Sequence, residues 1–248
     1  GQVEAIDLVQ YLSHFKRELP GDDMEFGFPR GPDDIEARPE NRGISRWWQE
    51  CAQPFQLHVS LHGIAFAAGP WFLIEPSWAS HCQELKTTCR RAVEEMGYRL
   101  HDVDRQGEKG FRRLEEGFCT RPDSQAMAQY FRDLQDESTA RLFRPSSMEA
   151  IRALGGDPLT LVTEMPLFIL PNVGETLGPP DPEALRWKER IERWKAGIDQ
   201  EPQVAESIGR EAVEYGLRAM PIRDQMQLQW TFIAAGVGQV PLRTCPEN

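Results

Sequence analysis

The feature that most constrains the fold is the apolar segment from Phe55 to Trp78, which is the longest in the chain. Between Leu57 and Leu61 apolar residues alternate with polar ones, which is the two-residue period of a strand with one polar face. Further on both faces become apolar, as in a strand that is covered on both sides. Gly69-Pro70 then interrupts the run, and Trp71 to Ile74 is hydrophobic enough to pair back. The segment therefore predicts a central β-hairpin over residues 55–75.

Three further segments are predicted to be strands of the same sheet, near residues 98–103, 159–170 and 225–235. Pro166 interrupts the second of them, which requires a bulge or an edge position there. In the third, apolar residues from Met226 to Ala234 alternate with uncharged polar ones. Five or six amphipathic helices flank these strands. The sequence thus predicts an α+β fold with a mixed β-sheet built on the hairpin.

Chain length and the positions of proline- and glycine-rich segments predict the domain organisation. At 248 residues the chain is within the size that one hydrophobic core supports, so a single domain over 1–248 is expected. An acidic loop rich in proline and glycine occupies residues 19–43. Residues 171–182 contain four prolines and two glycines, which makes them the candidate point of sub-division.

The charge balance limits the classes of partner. A formal net charge of −11 repels phosphate backbones and anionic lipid heads, so the expected partner is a basic protein, without nucleic acid or membrane insertion. No apolar run reaches the roughly 18 residues of a membrane span, and no signal-type segment opens the chain, so a cytoplasmic location is expected. A periplasmic location stays open if a leader has been removed. Arginine outnumbers lysine 23 to 5, which is typical of GC-rich bacteria.

The acidic loop is the first candidate binding element. From Glu18 to Glu40 there are eight acidic residues against two arginines. Two interpretations are open: a solvated insertion, or an arm that docks on a basic partner. The arm would bind through Asp22, Asp23, Asp33 and Asp34, which would lie exposed in a loop that buries little surface. Of the adjacent Trp47 and Trp48, one is expected in the core and the other as an exposed interface anchor.

The spacing of two histidines suggests a metal site, but the geometry of a strand excludes it. His58 and His62 have the H-x-x-x-H spacing, which brings ligands together on a helix but not on a strand. Four strand residues separate them by about 13 Å, while histidine nitrogens lie about 2.1 Å from a zinc ion. The pair is therefore expected to be polar histidines on the rim of the sheet, and no metal is predicted.

The best carboxylate pair is Asp102 with Asp104. Both would point to one face at the carboxyl end of the predicted strand 98–103, where open α/β sheets often place their sites. Such a pair can hold Mg²⁺, but Arg105 beside it offers an ordinary salt bridge as the alternative. Nucleophile-elbow and phosphate-loop motifs are absent, and no cofactor is predicted.

These observations favour a non-catalytic protein-binding module, such as an adaptor or an immunity-type inhibitor that recognises a basic protein. The alternative is a metal-dependent hydrolase or transferase that uses Asp102 and Asp104. The sequence does not decide the oligomeric state.

Overall fold

The computed structural model describes residues 4–51, 54–175 and 181–240. These residues form an α+β fold around an open, mixed sheet of six strands, as predicted. The strand order is β1-β5-β2-β4-β3, and β6 pairs with the end of β5. The strands are β1 (Leu57–Ala67), β2 (Trp71–Ile74), β3 (Arg113–Glu115), β4 (Phe118–Thr120), β5 (Leu159–Ile169) and β6 (Arg218–Ala219).

The described ranges contain nine α-helices, more than the five or six expected, because three of them have seven residues or fewer. They are α1 (Leu8–His14), α2 (Pro39–Glu50), α3 (Gln83–Glu95), α4 (Ser124–Asp133), α5 (Glu137–Ala140), α6 (Ser147–Arg152), α7 (Pro182–Gln200), α8 (Ala205–Glu214) and α9 (Ile222–Gln239). Over these same ranges, no helix combines the length and the apolar character needed to cross a membrane.

The predicted central hairpin is wrong, because β1 and β2 are not neighbours. β5 lies between them, parallel to β1 and antiparallel to β2. The connection at Gly69 is too tightly packed for any side chain, since a Cβ there would lie 1.7 Å from the carbonyl oxygen of Arg99. Pro166 of β5 pairs with β1 on one side and lies between the β2 and β6 pairings on the other. Its missing N–H group therefore falls at a locally open edge, as the sequence required.

Two other predicted strands are also absent from the described sheet. Residues 98–103 are irregular, and the helical crossover from β2 through α3 ends in β4, which is parallel to β2. Residues 225–235 belong to α9. Their alternation arises from two stripes of one helix: Leu228, Phe232 and Gly236 are buried four residues apart, whereas Met226 and Trp230 are exposed.

The two faces of the sheet carry separate cores. On one face, α3 and α9 pack on sheet residues such as Phe72 and Leu161, to which α9 contributes Phe232. On the other, α1, α7 and α8 enclose Phe168 and Trp187. The predicted sub-division near 171–182 falls partly on residues 176–180, outside the described residues; Asp181 caps α7 by accepting the Glu183 N–H, and Pro182 is its first residue.

Candidate functional site

β1 has an open edge. It pairs with β5 along one side, and over residues 4–51, 54–175 and 181–240 no strand pairs with its other side. Native edge strands are usually short or protected by lysine, proline or bulges. β1 is eleven residues long and contains no proline, lysine or other permanently charged residue. Such an edge presents a row of backbone donors and acceptors to a further strand.

An exposed apolar stripe on α9 accompanies this edge. Met226, Trp230 and Val237 are 63%, 69% and 44% exposed, and Leu61 of β1 is 51% exposed. Single exposed apolar residues are ordinary, but several on one helical stripe beside an open strand are typical of an interaction surface. We call Leu61, these three α9 residues and the open edge of β1 the β1–α9 face.

Specific contacts fix α9 over β1. The Gln229 side chain donates to the His62 carbonyl oxygen at 3.4 Å. One end of α9 comes closer still at Gly236, where a Cβ would lie 2.7 Å from a Leu161 methyl carbon and 3.2 Å from one of Leu57. The missing side chain thus lets the helix pack directly on the first residues of β1 and β5. The exposed stripe therefore runs along the strand whose edge is open.

The β1–α9 face is nearly uncharged in a chain of net charge −11. Of the 18 residues of α9, only Arg223 and Asp224 are charged, and both lie in its first turn. The Asp224 carboxylate is already used, since it accepts a hydrogen bond from the Tyr98 hydroxyl. A partner can therefore cover this face without burying an unpaired charge, which would cost several kcal/mol.

The opposite face of β1 is held by a buried ionic network. Arg121, which follows β4, is 4% exposed and forms an ion pair with Glu25 from the acidic loop. Burial lowers the pKa of Arg121 to about 10, against the attraction of the carboxylates of Glu164 and Glu149. Glu25 also lies 3.2 Å from His62 Nε2 of β1 and accepts a hydrogen bond from the Ser147 hydroxyl. The network joins the acidic loop to the sheet.

The acidic loop is thus packed rather than free, and the expectation that it buries little surface is wrong. Phe28 and Ala37 are buried, and α2 begins at Pro39, inside the segment 19–43 expected to be loop. Asn41 is buried and donates to the Met24 carbonyl oxygen. Most of the loop's acids serve internal contacts, among them the Glu18 to Arg38 ion pair at 3.0 Å.

The four predicted binding aspartates have different environments. Asp22 and Asp33 are exposed. Asp23 is half-buried and accepts a hydrogen bond from the Phe26 N–H, and burial raises its pKa. Asp34 forms an ion pair with the buried Arg144, and its hydrogen bond from the Arg30 N–H is the main cause that lowers its pKa. Only Asp22 and Asp33 are therefore positioned to meet a partner without giving up an internal contact.

The two adjacent tryptophans differ in exposure, although neither belongs to the buried core, where one of them was expected. Trp47 is 62% exposed, whereas Trp48 is half-buried and stacks on Phe28 with ring centroids 5.4 Å apart. Trp48 also packs edge-on against His58, which is more enclosed than a rim residue. The pKa of His58 is lowered to about 4, mainly by burial and to a smaller extent by the nearby His62.

Asp102 and Asp104 lie in the irregular segment after α3, not on a strand. Both carboxylate oxygens of Asp102 accept from Arg113, at 2.8 and 2.9 Å, so its salt-bridge partner is Arg113 and not the expected Arg105. Asp104 accepts from the Gln106 N–H at 2.9 Å, in a local turn. In the described part of the chain, no three His, Cys, Asp or Glu side chains are grouped so that they could hold a metal ion.

These two aspartates do line a pocket, which has a volume of about 680 Å³. It lies beside Phe66 and Leu170, at the carboxyl ends of β1 and β5, the end where α/β sheets usually carry their sites. The sequence therefore indicated this region through Asp102 and Asp104, although it assigned them to a strand that does not exist. The sequence did not indicate the β1–α9 face, because α9 was interpreted as a strand and β1 as the first strand of a central hairpin.

No family model, curated protein or solved structure matches this chain, so the candidate sites are argued from its own geometry.

Proposed function

We propose that this chain is a protein-binding module that accepts an extended segment of its partner as an added strand on β1. The observation that carries the proposal is the β1–α9 face, where an unprotected eleven-residue edge lies beside exposed Leu61, Met226 and Trp230. Strand addition obtains affinity from main-chain hydrogen bonds and specificity from side-chain contacts next to the edge. Tryptophan is the residue most enriched among interface hot spots.

The partner is a basic protein with an exposed strand or an extended tail. The net charge of −11 attracts a cationic protein over several ångströms and raises its association rate at low salt. The uncharged β1–α9 face then makes the contact without desolvating an ion. The exposed Asp22 and Asp33 contribute to the long-range attraction, whereas Asp23 and Asp34 hold the loop in place. An adaptor and an immunity-type inhibitor are the two functions that fit such a module.

The metal-dependent hydrolase or transferase stays a prediction with weaker support. A metal bound by Asp102 would have to displace Arg113 from both carboxylate oxygens. Calorimetric titration with Mg²⁺ and Mn²⁺ tests this alternative, because a tight site that is lost in Asp102→Ala would favour the enzyme.

The binding experiment uses the partner protein that is identified by a pull-down with the wild-type chain from its native host at low salt. Trp230→Ala should weaken binding to that purified partner about 30-fold, since truncation of a hot-spot residue costs about 2 kcal/mol. Leu61→Lys should weaken it comparably, because a lysine on an edge strand opposes the addition of another strand. Surface plasmon resonance gives both dissociation constants.

Trp47→Ala is the matched control, since it removes an equally exposed tryptophan from α2. Its binding should remain within about twofold of wild type. Loss of affinity in Trp47→Ala, with Trp230→Ala unchanged, would move the contact to the acidic loop and α2. Light scattering in the absence of the partner gives a second test: a stable dimer that dissociates in Leu61→Lys would mean that the edge is covered by another copy of the chain.

A further inference from the structure

The pocket at the carboxyl ends of β1 and β5 is unrelated to the β1–α9 face. Phe66 of its wall packs with Trp187 in the core on one side of the sheet, whereas Leu57 and Val59 pack with α9 on the other. Its volume of about 680 Å³ is within the range of small-molecule sites. The face of the sheet opposite α9 therefore carries a separate candidate site for a small molecule.

The wall of the pocket is largely apolar. Ile64, Phe66, Leu170, Trp187 and Ile191 form it, and Trp187 is fixed by donating its indole N–H to the Pro171 carbonyl oxygen at 3.3 Å. Such a wall favours the apolar body of a ligand, because each buried methylene group contributes about 0.8 kcal/mol.

The rim carries charges that differ in how well they are compensated. Among the acids, Asp102 is neutralised by Arg113, and Asp181 accepts the Gly174 and Glu183 N–H groups at 2.7 and 2.9 Å. Glu192 is largely exposed and lies 4.0 Å from Lys188. Asp104 accepts the Gln106 N–H at 2.9 Å, and Glu108 lies 3.5 Å from Lys109. Each of the five acids that line the pocket therefore already has a partner within the protein.

Among the three cations that line the pocket, Arg105 is the one without a carboxylate partner in the described part of the chain. Its guanidinium lies over the rings of Phe111 and Trp71, 4.6 and 5.2 Å from their centroids, and within the described residues it has no carboxylate in salt-bridge range. Lys109 next to it lies over the Tyr130 ring at 4.7 Å, with Glu108 at 3.5 Å. Burial is the main cause that lowers the pKa of Lys109, so its cation is also short of solvation.

The segment that carries these cations has an unusual backbone. Gln106 and Lys109 have φ angles of +50° and +56°, in the left-handed region that residues other than glycine seldom adopt. Each such residue stores about 1 kcal/mol or more, and this kind of strain is concentrated at ligand sites. The strained segment thus contributes both Arg105 and Lys109 to the lining of the pocket.

We propose that this pocket binds a small carboxylic acid with an apolar body, such as a medium-chain fatty acid or an aromatic acid. The chain or ring lies against Phe66, Trp187 and Ile191, and the carboxylate accepts from the Arg105 guanidinium with Lys109 close by. The carboxylate supplies the counter-charge that Arg105 lacks among the described residues.

Three ten-carbon probes that differ only in the head group test the proposal: decanoate, decanol and decylamine, titrated below their micellar concentrations by calorimetry. Decanoate should bind one site with a micromolar dissociation constant. Arg105→Met, which retains the contact with Phe111 and Trp71, should weaken decanoate binding at least tenfold and leave decanol within twofold. Arg112→Met is the matched control, because Arg112 is exposed and does not line the pocket.

A second variant tests the place of binding. Ala184 of α7 lines the pocket, so Ala184→Trp should fill it and weaken decanoate and decanol alike by at least tenfold. Circular dichroism and thermal unfolding verify that this variant is folded, and Ala184→Leu replaces it if it is not. Absence of decanoate binding at 1 mM, tighter binding of decylamine, or full binding by both Ala184 variants would overturn the proposal. None of these outcomes bears on the β1–α9 face.

Discussion

β1 and β5 have the same length, pair with each other in parallel and differ in almost everything else. β5 has neighbours on both sides and is buried along nearly its whole length, as its run of Leu, Val, Met, Phe and Ile requires. Within the described residues β1 pairs on one side only, and most of its residues are half-buried. The same pairing geometry thus serves the core in β5 and leaves β1 partly exposed to solvent.

The largest expected effect is a difference in how much the free energy of unfolding falls when a leucine is truncated in each of the two strands. Leu161 of β5 is completely buried, so Leu161→Ala should lower the free energy of unfolding by about 3 to 4 kcal/mol. Leu61 of β1 is half-exposed, and Leu61→Ala should cost no more than about 1 kcal/mol. Urea unfolding measures both. Equal losses in the two variants would mean that the β1 edge is covered in solution.

The next effect concerns the ionic network beneath β1. Glu25→Gln removes the carboxylate that pairs with the buried Arg121 and should lower the free energy of unfolding by about 3 kcal/mol. Asp33→Asn, in the exposed part of the same loop, should change it by less than about 0.5 kcal/mol. If both substitutions are neutral in urea unfolding, the acidic loop is not anchored to the sheet as described.

A smaller effect appears in the pH dependence at the carboxyl end of β1. His101 is buried, and its Nδ1 accepts the Ala68 N–H at 3.3 Å. The pKa of His101 is lowered from 6.5 to about 4, mainly by burial and to a smaller extent by the charge of Arg105. Below about pH 6.5 the unfolded chain therefore binds a proton at His101 that the folded chain does not bind. The contribution of neutral His101 to the free energy of unfolding is thus complete above pH 6.5 and is lost as the pH falls towards 4.

His101 should account for about 2 kcal/mol of the loss in unfolding free energy between pH 7 and pH 5. His101→Gln retains a side-chain acceptor but cannot titrate, so its unfolding free energy should fall less steeply over this range. Urea unfolding at the two pH values compares the proteins. Identical slopes for wild type and His101→Gln would contradict the burial of a neutral imidazole.

The sequence predicted fold class better than strand neighbours, for physical reasons. Local apolar patterns, which depend only on neighbouring residues in the sequence, predict the strands β1, β2 and β5. Their order depends on which strand fills the space beside β1, and β5 does so from about a hundred residues away. No local pattern carries that information. α9 was misassigned because Met226 and Trp230 are apolar although they face solvent, which turns a helical stripe into apparent alternation.

The candidate sites show the same division. Asp102 and Asp104 stood out as a short motif, and they do line the pocket, but the pairing of Asp102 with Arg113 required the fold. The acidic loop stood out by composition, yet composition could not tell that Asp34 meets the buried Arg144 while Asp33 remains exposed. An open strand edge leaves no sequence motif at all, because it is defined by the strand that is missing beside it.

Hydrogen–deuterium exchange of the chain, free and in complex with the protein that co-purifies with it from its host, tests the proposed strand addition most directly. If the partner adds a strand to β1, amide exchange should slow by more than tenfold over residues 57–67, while the part of the acidic loop before α2, residues 19–38, exchanges as in the free protein. The half-exposed residues of α9 beside β1 should also gain protection. Protection of residues 19–50 with unchanged exchange in β1 would contradict the account and place the partner on the acidic loop and α2.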